Sequence, residues 1–128
     1  MSTLAVATIK SASSAPVVFQ NTSGTEVIQG ARSWVNFEQI STQSIRDSFN
    51  VSSIEDLGTG QTKVNFSNNF SNNSYSVVTG GSRDQPEGSR CFPPNIDGMT
   101  TAKFEVTNHN DGSTLVDWSL VCIACFGE

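Results

Sequence analysis

The sequence predicts an all-β protein: an antiparallel β-sandwich or small barrel, preceded by an extended N-terminal arm. Apolar residues recur at every second position in short runs, as they do on a strand with one buried face. Turn-forming Gly, Asn and Ser separate these runs at intervals of roughly 8–12 residues. No segment holds helical spacing over the roughly 11–18 residues that would define a helix. Composition agrees: charged residues make up only 15% of the 128, and Ser, Thr and Asn take their place. Helices favour Ala, Leu, Glu, Lys and Arg, which are sparse here.

Residues 1–30 read as an arm and 31–128 as the domain. In the arm, Leu4, Val6 and Ile9 are followed by SASSAP, Pro16 bars a helix nearby, and Val17, Val18 and Phe19 form a short apolar run. Clusters this small cannot build a core alone. They are candidate assembly residues, docking on the domain or on another subunit. The domain opens with a strand at Ser33–Phe37, with Trp34 and Asn36 on one face and Val35 and Phe37 on the other. A second strand places Ile45, Asp47, Phe49 and Val51 together. LGTG turns the chain at Leu57–Gly60. In Gln61–Ser67, Val64 and Phe66 point in while Lys63, Asn65 and Ser67 point out, the mark of a sheet with one wet face. SNNFSNN forms a polar loop around Phe70, and Tyr75–Thr79 is the next strand. Gly80–Thr100 is the longest irregular stretch, and long loops in compact domains carry function or lack order. Thr101–Thr107 alternates again, with Ala102, Phe104 and Val106 inward. Asn108–Gly112 reads as a hairpin turn, Asp-Gly being a strong turn signal. Leu115–Phe126, apolar on both faces, is either central in a sheet or at a subunit contact.

Net charge is −5, and the seven Lys and Arg residues are scattered singly. No basic stripe is present to neutralise phosphates, so nucleic acid is not an expected partner. No run approaches the ~20 apolar residues of a membrane-spanning helix, and the N-terminal residues lack the charged and apolar regions of a signal peptide. Production in a cytoplasm is expected. The three cysteines imply no disulfide framework. Cys122 and Cys125 are spaced like a metal or redox pair, but three residues apart on a strand they face opposite sides. Neither a metal nor a cofactor is expected. His109, the only histidine, falls in a polar hairpin tip with nothing to orient it as a base. Asp117 lies beside Trp118 and reads as a wet spot on a strand. An enzyme is not expected, because the carboxylates are scattered and no phosphate loop or nucleophile elbow occurs.

Rings near polar loops are the better clue to binding, because a sugar face stacks on an aromatic ring while Asn, Asp and Ser hydrogen-bond its hydroxyls. Trp34 and Tyr75 read as core rings. The candidate surface-binding residues are Phe70, then Arg83, Arg90 and Phe92 in the long loop, and Asn108, His109, Asn110 and Asp111 in the hairpin tip.

ARSWVNF, followed by IRDSFNVSSIEDLGTGQTKVNFSNNFSNNSYSVVTG, resembles a recurring module of bacteriophage virion proteins, especially those of marine and cyanobacterial phages. The resemblance covers residues 1–9 and 31–80. It departs at Gln61-Thr62-Lys63, where the module usually has an aromatic, and it ends after Gly80. It implies a virion surface protein, a homotrimeric tail fibre or receptor-binding protein joined to other virion proteins through its arm and reaching host surface polysaccharide. The competing expectation is a capsid decoration or head-fibre protein that binds no glycan.

Overall fold

The structure, a computed structural model, describes residues 19–20, 22–24, 26–28, 30–83, 95–110 and 113–127. The chain divides into two units, Met1–Gly30 and Ala31–Glu128. In the first, β1 (Phe19–Gln20) pairs antiparallel with β2 (Glu26–Ile28), placing Phe19 opposite Ile28. Leu4, Val6, Ile9, Val17 and Val18 lie outside the described residues.

The second unit is an antiparallel β-sandwich, not a closed barrel. Its strands are β3 (Ser33–Glu38), β4 (Ser44–Phe49), β5 (Val51–Gly58), β6 (Gln61–Phe66), β7 (Ser76–Ser82), β8 (Asn95–Asp97), β9 (Lys103–Thr107) and β10 (Leu120–Phe126). One sheet runs β4-β3-β10-β7 and the other β5-β6-β9-β8. Alternation fixes what each sheet buries. Val35 and Phe37 of β3 and Val121, Ile123 and Cys125 of β10 meet Val64 and Phe66 of β6 and Phe104 and Val106 of β9 in one core.

The NVSSI motif is where the chain changes sheet. Asn50 adopts a left-handed φ of 56°, which Asn tolerates better than other residues with a side chain. Its amide stitches the corner together, donating to the Arg32 and Asn68 carbonyls at 3.1 Å each and accepting from the Asn68 backbone N–H at 2.8 Å.

The two ends of the sandwich are closed differently. At the Ser33 end, Phe66, Phe70 and Tyr75 cluster with centroids 4.4–5.5 Å apart. The Arg32 guanidinium sits 5.6 Å from the Phe70 centroid, and the Tyr75 hydroxyl bonds the Thr100 and Lys103 carbonyls at 3.0 Å. At the opposite end the plug is polar. Gln39 Nε2 donates to Thr62 Oγ1 at 3.0 Å, while its Oε1 accepts from Asn108 Nδ2 at 2.7 Å and from the Trp118 backbone N–H at 3.0 Å. Thr62 in turn donates to Gln43 Oε1 at 2.6 Å.

Four readings of the sequence need correction. Ile45 does not share a face with Asp47 and Phe49: a β-bulge opposite Asn36/Phe37 inserts one residue, so Ile45 packs against the core while Asp47 and Phe49 are exposed. The last strand begins at Leu120, not Leu115. Residues 113–119 are irregular apart from a single bridge between His109 and Leu115, and β9 and β10 lie in different sheets. The long irregular stretch is shorter than expected, because Gly80–Ser82 belongs to β7 and Asn95–Asp97 forms β8. Ala102 is exposed rather than inward, in the turn before β9.

Candidate functional site

The two outer faces of the sandwich differ in character. On the outside of the β5-β6-β9-β8 sheet, Glu55 faces Lys63 and Lys63 faces Glu105 across neighbouring strands. Lys63 Nζ meets Glu55 at 2.6 Å, Lys103 Nζ meets Glu105 at 2.8 Å, and Asn65 Nδ2 donates to Glu55 at 2.8 Å. The Lys63 and Asn65 hydrogen bonds hold the Glu55 carboxyl below its ordinary value. Charges there are paired with one another and wetted.

The outside of the β4-β3-β10-β7 sheet carries a row of exposed apolar side chains. Its register aligns Phe49, Trp34, Ala124 and Val78 in one row across all four strands. Phe49 is 54% exposed, Trp34 37% and Val78 58%. A neighbouring row holds Asp47, Asn36, Cys122 and Gly80, and a β-carbon placed on Gly80 would meet nothing within 4 Å. Leu120 and Phe126, outward on β10, are half-exposed. The cation of this sheet, Arg46, is occupied at the corner, where Nη2 lies 2.7 Å from both Glu38 Oε2 and the Ser119 carbonyl. Arg46, with Ser44, holds the Glu38 carboxyl below its ordinary value. Asp47 Oδ1 accepts from the Ser48 backbone N–H at 2.8 Å, and Asn36 Oδ1 is buried with no hydrogen-bond partner among the described residues.

The residues singled out from the sequence do not form one site. Phe70 is not a surface ring: it is 3% exposed in the core, because its loop folds back and its N–H bonds the Thr101 carbonyl at 2.9 Å. Asn108 is 2% exposed and belongs to the polar plug. His109 is half-buried beside Leu115, and Asn110 closes the turn, its Oδ1 accepting from the Thr114 N–H at 2.9 Å. Arg83 is exposed directly after β7. Arg90, Phe92 and Asp111 lie outside the described residues. Trp34, read as a core ring, stands outside the core; Tyr75 is buried as expected. The sequence reading missed Phe49 as a surface ring, because the bulge at Arg46 breaks the two-residue count along β4.

Asp117 has a structural task. Its Oδ1 accepts from the Gly60 N–H at 2.7 Å, tying the LGTG turn to the segment before β10. Cys122 is half-exposed on the outer face and Cys125 is buried, so the two sulfurs sit on opposite sides of their strand. The plug of Gln39, Gln43, Thr62 and Asn108 is made of amides and a hydroxyl, which hydrogen-bond but do not ionise near neutral pH. No family model, curated protein or solved structure matches this chain.

Proposed function

We propose that this chain is a bacteriophage virion protein of the tail-fibre or receptor-binding kind, whose sandwich attaches the particle to the host surface and whose arm joins it to other virion proteins. One observation carries the attachment reading. One outer face is wetted by charges that pair among themselves, while the other leaves Phe49, Trp34 and Val78 exposed in a single row. Concentrated apolar exposure on one side of a folded domain marks a binding surface. The sequence resemblance supplies the setting, and a sequence with only 15% charged residues suits a protein displayed on a particle. Three copies joined through the arm would give weakly binding sites avidity.

Gold-labelled antibody against residues 31–128 on purified virions tests the setting. Label at the tail is the expected result; label over the head would favour the capsid-decoration reading instead.

A further inference from the structure

We propose that the β3–β4 corner of the apolar outer face is a saccharide platform taking a neutral pyranose, with Trp34 and Phe49 as stacking rings and Asp47 and Asn36 as hydroxyl partners. This rests on the attachment reading for its biological setting but not for its chemistry.

Trp34 and Phe49 are direct cross-strand partners, so their β-carbons are about 4.5–5.5 Å apart and both rings stand on the same outer face. Both are substantially exposed. The pairing itself stabilises the hairpin only slightly, so it does not account for leaving two large rings in water. A pyranose presents C–H groups on its face and hydroxyls around its edge, and therefore needs aromatic carbon with polar groups to one side. The adjoining row supplies them. Asn36 and Asp47 are cross-strand partners one step along the same face. Asp47 is exposed and keeps Oδ2 free of hydrogen bonds among the described residues, while Oδ1 is held by the Ser48 N–H. Asn36 Oδ1 is buried without a partner among the described residues, so its side-chain amide has hydrogen-bonding capacity left over.

Charge selects the class of sugar. Arg46, next to Asp47 in β4, is committed to Glu38 and to the Ser119 carbonyl, Arg32, two residues before Trp34, sits over the Phe70 ring, and Asp47 adds a negative charge beside the rings. Acidic sugars are therefore disfavoured and neutral ones admitted. Ala124 and Gly80 continue the two rows as a low surface across β10 and β7. Neighbouring strands are about 4.8 Å apart, close to the repeat of a β-linked hexose, so an oligosaccharide lying across the strands would place successive units on successive strands.

The test is titration of the full chain with neutral hexose and 6-deoxyhexose oligosaccharides, with oligogalacturonate as the acidic comparison. The readouts are the side-chain N–H signals of the two tryptophans and sedimentation. Trp118 is buried and serves as an internal control. A neutral saccharide should shift the Trp34 signal and leave that of Trp118 in place. W34A and F49A should each weaken binding about tenfold or more, W34F should retain part of it, and D47N should weaken it with the rings intact. All four should sediment as the parent does. Three results would overturn the proposal: no neutral saccharide in the panel binding, binding that W34A leaves unchanged, or W34A breaking an oligomer, which would make a second copy the occupant. Label on the head with saccharide binding intact would defeat the attachment reading and leave the platform standing.

Discussion

Gln39 shows how a single side chain can close a sandwich. It follows β3 and is 1% exposed, and its amide is satisfied by groups from three other segments. Replacing it with Ala would leave the Asn108 amide and the Trp118 N–H buried and unpaired, and such groups cost about 1–3 kcal/mol each. Urea unfolding of Q39A should therefore show a loss of about 3 kcal/mol. A second prediction concerns alkaline pH. Burial pushes the Tyr75 hydroxyl up to about 12, with the Cys125 thiolate adding to the shift, and burial likewise pushes the Cys125 thiol up to about 12. Both groups become charged on losing a proton, so the folded state holds these protons more tightly than the unfolded chain. The stability they contribute is complete below the thiol's ordinary value of 9.0 and is lost as pH rises from there towards 12. The melting temperature should fall over that window, and C125A should flatten the early part of the fall. At this scale the sequence misleads about rings in particular. Phe70 sits among seven polar residues and reads as exposed, yet a backbone bond to Thr101 folds it inward. Trp34 has the size of a core residue and the parity of a surface one, and parity prevails because Val35 and Phe37 already fill the inner face of β3.

Strand existence and alternation are legible because one buried face imposes a period of two, as Lys63–Phe66 shows. What alternation cannot express is a change of count or of sheet. The bulge near Arg46 is one extra residue, and it moves Asp47 and Phe49 to the opposite face from Ile45. Asn50 looks like one more polar residue in the run, but its left-handed backbone sends β4 and β5 into different sheets. The segment before β10 is apolar enough to read as strand, yet it serves as a strap, held by Gly60, Asn108 and Gln39. Gly60 is needed there twice over. Its φ is 68°, and a β-carbon would lie 2.6 Å from the Asn108 carbonyl and 2.8 Å from the Val116 nitrogen, all of it backbone that cannot yield. G60A should lose roughly 2 kcal/mol or more, while G80A, whose β-carbon meets open space, should stay within about 0.5 kcal/mol of the parent. Thermal melts of the pair compare the two sites directly.

For the whole molecule, the difference between the two outer faces is the feature that most constrains use. It could not be read from the sequence, because Phe49, Trp34, Ala124 and Val78 come from four strands whose order is set only by the fold. The proposed function puts assembly in residues 1–30 and attachment in the sandwich. Sedimentation of the full chain should accordingly give a trimer, and removal of residues 1–30 should give a folded β-domain that no longer joins virions. A stable monomer of the full chain at micromolar concentration would contradict assembly through the arm. On the proposed function, the row of exposed apolar side chains is the part that grips the host. The most direct measurement is phage adsorption to host cells in the presence of excess purified chain. The parent chain should compete and slow adsorption, and W34A at the same concentration should not. Equal competition by both chains, or none by the parent, would contradict it.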